Sequence, residues 1–408
     1  MVDERAACSL FYLMEIIGNR YNYSGYWTIM ERKDFSKRKS FPGTTGNRFD
    51  VILHFADIIQ KIPLPIFAAI LLGLAIFPGR GKWYLVLGLW IFQLSDWVLL
   101  ASLSYAGKSF GPAKPSVLIL ATARIVVAFF PLWIAIPAEV IGTGLVFYGF
   151  WIEPHAIRLT HQILKSPKLG KMPPLRIMHL GDLHVERVTQ RERQLNEMIR
   201  SLKPNIILFS GDFLNLSNLR DPASWKAMQT IVGEWTAEEG VYAVLGSPAV
   251  DLPDVIPGLV DGLPLQLLNN QVVKISYHDT NINILGLTCS HKPFIDAPEL
   301  NKLVDDVLEN EFTLLLYHSP DLAPDAAAMG IDLQLSGHTH GGQVRLPWVG
   351  ALYTGSLYGK VFESGRKQIG NMTLYISRGI GLEGAGAPRV RFFCPPEIIL
   401  WELSGTSD

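Results

Sequence analysis

The chain has 408 residues, 49% of them hydrophobic and 18% charged, with 36 Lys and Arg set against 37 Asp and Glu for a formal net charge of -1. So even a balance provides no electrostatic footprint for nucleic acid, and no nucleic-acid partner is expected. Three cysteines, Cys8, Cys289 and Cys394, are too few and too scattered for a disulfide framework or a zinc ribbon, and they suit a reducing compartment.

Residues 1–50 form a polar tail that includes Arg32, Lys33, Lys37, Arg38 and Lys39. It is expected to be disordered. No short apolar core precedes a small-residue cleavage site, so it does not read as a signal peptide, and Met30 is a candidate start. Composition then shifts: over 51–152 charges are few, and the candidate membrane spans are 62–77, 83–103, 116–134 and 136–152. A bilayer needs ~20 apolar residues, which the second and third approach while the first and fourth fall short. Three or four transmembrane helices are expected, with four favoured because the third apolar run is too long for one helix. Pro63, Pro65, Pro131 and Pro137 mark ends or kinks.

Asp96 and Arg124 lie inside spans two and three. An ionisable group there costs roughly 2.5–3.5 kcal/mol on insertion scales. Pairing of the two is therefore expected, the alternative being that each snorkels to the headgroups. Basic residues ahead of the first span favour a cytoplasmic amino terminus. With four spans the region after residue 152 would be cytoplasmic too, in a multi-pass inner-membrane protein. Residues 153–172, which carry Lys165, Lys168 and Lys171, read as an amphipathic linker along the bilayer surface.

From 173 to 404 the pattern is that of an α/β domain. The runs 177–180, 206–210, 241–245 and 313–317 are short and continuously apolar, as in strands buried on both faces. The stretch 186–202, with Val188, Leu195, Met198, Ile199 and Leu202 among charged residues, predicts a crossover helix. Ligands of open α/β sheets bind at the carboxyl ends of strands. That is where Asp182 and His184, Asp212, His318, and His338 with His340 fall.

Each of these has an ordinary reading. A Gly-Asp after a strand is usually a turn, and His318 before Ser319-Pro320-Asp321 opens a capped helix. His338 and His340, two apart, point to one side of an extended segment, and such a pair is often only a polar loop. Their occurrence in order, each after a strand, favours a metal site. Asp182, His184 and His340 would hold one ion, His318 and His338 the other, and Asp212 would bridge. Two ions about 3.5–4 Å apart can clamp an in-line displacement at phosphorus. Carboxylate with imidazole suits Mn, Zn or Fe and not a Ca cage.

The motifs Gly181-Asp182-Leu183-His184, Gly211-Asp212, His318-Ser319-Pro320-Asp321 and Gly337-His338-Thr339-His340-Gly341-Gly342-Gln343 resemble those of the calcineurin-like metallophosphoesterase superfamily, in its membrane-anchored bacterial branch. Ser377-Arg378-Gly379-Ile380-Gly381 and Cys394-Pro395-Pro396-Glu397-Ile398 are similar to its closing segment, so the resemblance runs from about 153 to 403. It implies a four-layer α/β/β/α sandwich preceded by transmembrane helices, and two divalent ions (Mn, Fe or Zn). The implied activity is phosphoester or pyrophosphate hydrolysis, with Asp212 and His338 catalytic. Arg378 is implied to lie near the substrate phosphate, with a structural ion pair as the alternative. Purple acid phosphatases carry a Tyr three residues after the bridging Asp; Asn215 stands there, so no tyrosinate colour is expected.

One departure matters. The family carries Gly-Asn-His after the third strand of this series, its Asn on the second metal and its His protonating the leaving group, whereas 241–245 is followed by Gly246-Ser247-Pro248. Ser247 offers at most a weak oxygen ligand or a hold on water. Pro248 can donate no proton, and general acid catalysis contributes about 10²–10⁴-fold. Asp251 and His291 are substitutes to consider, though each reads more readily as a surface loop residue. The expected protein is a membrane-anchored hydrolase of a phosphorylated small molecule or lipid headgroup. The alternative is a degenerate phosphoesterase that binds a phospho-ligand or partner with little turnover.

Overall fold

The computed structural model describes residues 31–79 and 81–406. Helices come first: Arg48–Gln60 (α1), Leu64–Gly79 (α2), Trp83–Tyr105 (α3), Ala113–Ala128 (α4) and Leu132–Phe147 (α5). Two are long and apolar enough to cross a bilayer, Trp83–Tyr105 and Leu132–His155, the latter being α5 continued by further turns; α1 with α2, bent by 108°, is one more candidate pair. At 16 residues, α2 and α4 rise only about 24 Å, less than the ~30 Å of a hydrocarbon core. The run 116–134 is not one helix, because Pro131 caps the start of α5.

Phe67, Leu71, Leu100, Val117, Ala121 and Val146 form the shared interior of these helices. Trp133, Ile119, Val126, Val140 and Ile141 face outward, an apolar exterior of the kind that marks a membrane or partner surface. Asp96 and Arg124 do pair: the guanidinium is bidentate to Asp96, with Nε and Nη2 each 2.6 Å from a carboxylate oxygen. It also bonds Glu139 and, at 2.9 Å, Thr143 Oγ1, tying α3, α4 and α5 together.

The remainder builds two six-stranded sheets. The first contains Arg158–Lys165 (β1), Leu175–Leu180 (β2), Ile206–Phe209 (β3), Val241–Ala243 (β4), Gln266–Leu267 (β5) and, last in the chain, Glu397–Ser404 (β14). Its order is β1-β14-β2-β3-β4-β5. The second contains Gln271–Tyr277 (β6), Thr280–Gly286 (β7), Phe312–Leu316 (β8), Leu333–Ser336 (β9), Gly365–Ile369 (β12) and Met372–Ile376 (β13), in the order β12-β13-β9-β8-β7-β6. Arg345–Leu346 (β10) and Gly350–Ala351 (β11) form a small hairpin.

Alternation along the strands sends one set of side chains to each face. Ile177, Leu208, Ile284, Leu314, Leu335 and Trp401 meet between the sheets. Met178, Ile207 and Leu400 pack under Gln190–Leu202 (α6), Pro222–Val232 (α7) and Ile256–Val260 (α8). Leu285, Leu315 and Leu374 pack under Pro293–Val304 (α9) and Ala323–Ala328 (α10). This is the four-layer α/β/β/α sandwich. The expected crossover helix is α6, started by a capping box in which Thr189 and Glu192 each bond the other's end of the turn.

Two expectations about the flanks give way. Residues 1–30 lie outside the described residues, but 31–47 are built against the domain and are no free tail. Arg32 pairs with Asp325, Phe35 meets Tyr358 edge-on at 5.5 Å, and Phe41, 4% exposed, packs on Phe294. Nor is the expected linker separate from the domain: Arg158–Lys165 pairs in parallel with β14 as an edge strand, its alternating side chains matching a pleat.

Candidate metal centre

Every candidate ligand sits just past the carboxyl end of a strand, Asp182 and His184 after β2, Asp212 after β3, His318 after β8, His338 and His340 after β9. Turns there are sharp, with φ in the left-handed region at Asp182 (50°), His184 (45°), Asp212 (63°), His338 (71°) and His340 (51°). His338 and His340 therefore do not share one side of an extended segment. They diverge, His340 joining Asp182 and His184, and His338 joining His318; within each cluster the ligand atoms lie within 4.8 Å of one another.

Hydrogen bonds decide which ring nitrogens face inward. His184 Nδ1 donates to the Leu214 carbonyl at 3.3 Å and His318 Nδ1 to the Ser210 carbonyl at 2.8 Å, so in the neutral ring each Nε2 is the nitrogen free to hold a cation. His184 Nε2 lies 3.0 Å from His340 Nε2, and Asp182 Oδ1 is 3.7 Å from the latter. Asp212 Oδ2 stands between the clusters, 3.5 Å from His184 Nε2 and 3.3 Å from His318 Nε2, the position of a bridge. Asp182 Oδ2 and His340 Nδ1 are buried with no hydrogen-bond partner. Facing imidazole lone pairs, two buried carboxylates and orphaned donor atoms fit a pair of divalent cations.

Electrostatics agree. Burial raises the Asp182 carboxyl to about 6, the Asp212 charge adding to the rise and His318 opposing it. For Asp212 burial also opposes ionisation, but His318 and His184 outweigh it and hold the carboxyl far below its ordinary range. Burial disfavours the His318 imidazolium, yet Asp212 overcomes this and lifts it to about 9. Burial, with neighbouring imidazoles, depresses His338 and His340. Without a cation, Asp212 and the His318 imidazolium thus make a buried ion pair beside the depressed His338 and His340, and a metal ion binding there would displace the His318 proton.

A profile of the calcineurin-like phosphoesterase family matches residues 175–342. The chain is similar to the uncharacterized metallophosphoesterase YkuE of Bacillus subtilis, 27% identical over 64% of this chain and 90% of that protein. It is similar also to the UDP-2,3-diacylglucosamine pyrophosphatase LpxG of Chlamydia trachomatis, 24% identical over 61% and 90% of the two chains. A third relative, the phosphodiesterase YaeI of Escherichia coli, is 25% identical over 65% and 96%. Residues 175–342 are a calcineurin-like metallophosphoesterase domain. The chain is accordingly a hydrolase of phosphate ester or anhydride bonds, and its His and Asp clusters can hold the metal pair on which that family depends.

Two residues of this phosphoesterase, Asp251 and His291, sit where the sequence did not place them. Asp251 is 1% exposed, not on the surface. Its carboxylate accepts the backbone N–H groups of Asp212, Phe213 and Gly246 at 2.8, 2.9 and 2.7 Å, clasping the bridging loop to the Ser247 loop. His291, also 1% exposed, has its ring centroid 4.2 Å from that of His338. Arg378 takes the structural alternative: its Nε donates to Glu397 at 3.0 Å, and the guanidinium is not among the groups facing the metal-side cavity. The sequence signal for His291 was present, an apolar strand followed by a His, but four residues of loop separate it from β7.

Ser247 lies at the centre of the second cluster. Its N–H donates to Asp212 Oδ1 at 2.7 Å, and its Oγ is 3.1 Å from His318 Nε2 and 3.0 Å from His291 Nε2. Pro248 next to it is exposed and carries no proton. Asn215, where a tyrosinate ligand would stand, instead donates to the Leu382 carbonyl at 2.9 Å.

A cavity of about 680 Å³ reaches from Asp212, Ser247, His338 and His340 to Ile119 and Leu120 on α4 and Leu145 and Val146 on α5. The tail contributes Pro42, Gly43 and Asn47 to its wall. Among the described residues no Lys or Arg lines it, so cations held by the His and Asp clusters would be what neutralises a phosphate there.

Proposed function

We propose that this protein is a membrane-anchored dimetal hydrolase of a phosphoester or pyrophosphate whose substrate carries an apolar, lipid-like portion, with Mn, Fe or Zn as its ions. The observation that carries the reading is the cavity, which has metal ligands at one end and apolar residues of the candidate membrane helices at the other. Its size is that of a ligand site. LpxG is named for a diacylated sugar nucleotide with a pyrophosphate, which joins the same two chemistries in one molecule.

Bound divalent ions supply a hydroxide near neutral pH and offset charge on the phosphoryl oxygens. The chain's part would be to hold them: Asp212 would serve both, Asp182, His184 and His340 one ion, and His318 and His338 the other. Asp251 fixes the Asp212 loop, and Ser247 keeps a hydroxyl at the centre. Pro248 offers no proton to the leaving oxygen. That favours a pyrophosphate, whose leaving phosphate departs without one.

Orientation follows from the tail. Residues before α1 and the domain after α5 are in contact through Arg32 with Asp325 and Phe41 with Phe294. Both ends of the helical region therefore lie on one side of a membrane, which supports an even number of crossings. Arg32, Lys33, Lys37, Arg38 and Lys39 favour the cytoplasmic side. A reporter fused after Asp408 is expected to read cytoplasmic; periplasmic activity there would reverse the assignment.

The substrate test compares a diacylated sugar-nucleotide pyrophosphate with the same headgroup lacking acyl chains, using detergent-solubilised protein supplied with Mn or Zn. Each buried methylene is worth ~0.8 kcal/mol, so two of them give about tenfold in kcat/KM. Leu145→Trp should erase that preference while sparing a nitrophenyl phosphate. Equal turnover of acylated and bare headgroups would defeat the lipid reading. A metal-loaded protein that cleaves nothing in the panel would favour a phospho-ligand-binding role, the reading to which Pro248 lends support.

A further inference from the structure

We infer that His291 is a ligand of the second metal ion, which is then held by three imidazoles, His291, His318 and His338, and by the carboxylate of Asp212 that it shares with the first. The inference rests on the dimetal reading and adds to it a residue from the loop after β7, a segment outside the recognised motifs.

Geometry comes first. His291, His318 and His338 each offer a nitrogen within 4.8 Å of the others, and the His291 ring centroid is 4.2 Å from that of His338 and 5.7 Å from that of His318. Satisfaction comes second. His291 Nε2 lies 3.0 Å from Ser247 Oγ, and His291 Nδ1 is buried without a hydrogen-bond partner among the described residues. An orphaned polar atom in the interior costs free energy that a cation would offset. Three imidazoles packed together with no cation among them would be an unfavourable way to fill a core.

Backbone conformation is the third observation. His291 has φ of 60°, in the same left-handed region as Asp182, His184, Asp212, His338 and His340. Few non-glycine residues go there, and such strain gathers where function holds it. The ring is also clamped from outside: a Cβ on Gly43, itself at φ 76°, would lie 2.2 Å from His291 Nε2. The tail thus seats the imidazole against the site, and only glycine allows it.

The ligand set has a chemical consequence. Imidazole nitrogens suit Zn and Fe, while oxygen donors suit Mn and Mg. A site of three imidazoles and one carboxylate should favour Zn over Mn more than a site with an amide oxygen in place of one imidazole.

The test strips the full chain in detergent with a chelator and reloads it with Zn(II) or Mn(II), reading stoichiometry by elemental analysis and affinity by titration. The natural sequence should take two ions. His291→Ala, and His291→Gln as a bulkier control for packing, should keep one and bind the second at least about 100-fold more weakly, beyond the ~10–100-fold lost with a residue that only orients a ligand. Adding Ser247→Asn to His291→Ala should restore the second ion and shift its Zn-to-Mn affinity ratio toward Mn. If the natural chain binds two ions and both His291 variants bind two with unchanged affinity, the inference is overturned and the dimetal reading stands. If the natural chain itself binds fewer than two, the dimetal reading fails and takes the inference with it.

Discussion

Glu397→Gln separates a structural Arg378 from one that serves the substrate. Glu397 is 3% exposed and accepts from Arg378 Nε at 3.0 Å, Tyr375 Oη at 2.7 Å and Thr160 Oγ1 at 2.5 Å. Removing one partner of a buried ion pair costs about 3–5 kcal/mol. The Arg378 side chain is 25% exposed, so water recovers part of that, and about 2–3 kcal/mol is expected. For a domain of this size each kcal/mol moves Tm by ~2–4 °C, which gives a fall of roughly 4–12 °C. Arg378→Met should lose a similar amount, and the double variant less than the sum.

The acid limb carries the sign. Burial opposes ionisation of Glu397, but Arg378 and the hydrogen bonds outweigh it, so its folded-state carboxyl lies below the ordinary value of 4.5. The stabilisation is complete above pH 4.5 and is lost as pH falls through the lower folded value. Differential scanning fluorimetry of the solubilised protein between pH 7 and pH 3 should show a shallower acid limb in Glu397→Gln. An unchanged Tm in that variant, together with a tenfold rise in KM for Arg378→Met alone, would refute the ion-pair assignment.

Asp251→Ala strands three buried N–H donors, at ~1–3 kcal/mol each before water enters. It should cost about 3–5 kcal/mol of stability and lower metal occupancy, seen by calorimetry and elemental analysis; full occupancy would mean that the Asp212 loop holds itself. With Pro248 in place of an acid, rates across a series of phosphate esters should depend steeply on leaving-group pKa, nitrophenyl esters and pyrophosphates far ahead of alkyl esters. A shallow slope would reveal another proton donor. Arg124→Met leaves the Asp96 and Glu139 carboxylates buried without their cation, and should cost about 3–5 kcal/mol. Membrane-extracted yield should fall and recover when Asp96→Asn and Glu139→Gln are added; an unaltered yield in the single variant would show the three-helix tie to be dispensable.

What the sequence revealed depended on whether chemistry and chain order coincide. Asp182, Asp212, His318 and His340 were legible because each follows an apolar run directly, and the strand end that exposes the ligand is the same feature that makes it visible. His291 was noticed only as a substitute proton donor, since its neighbours Ser247, His338 and Gly43 come from distant parts of the chain. Asp251 was hidden for another reason: it works by accepting backbone N–H groups, which leave no trace in side-chain spacing. The tail was misjudged from its charges, although Phe35 and Phe41 stand out among them as anchors. In Arg158–Lys165 the alternation of Leu159, His161 and Ile163 was a strand signal, overshadowed by the basic residues that follow.

The placement of β14 fixes an order of events. Arg158 pairs with Glu397 and Lys165 with Ser404, while the other edge of β14 pairs with β2. The strand nearest the helices thus has no neighbour until the chain's final segment is synthesised, and closing so long a loop is entropically slow. While the ribosome is still at work, β1 and β2 each present an open edge, the kind of surface that recruits other strands. A nascent chain halted before Glu397 would leave the helices made and the sandwich split at its first sheet, ready to aggregate or be degraded. Closure of the first sheet is therefore gated by β14.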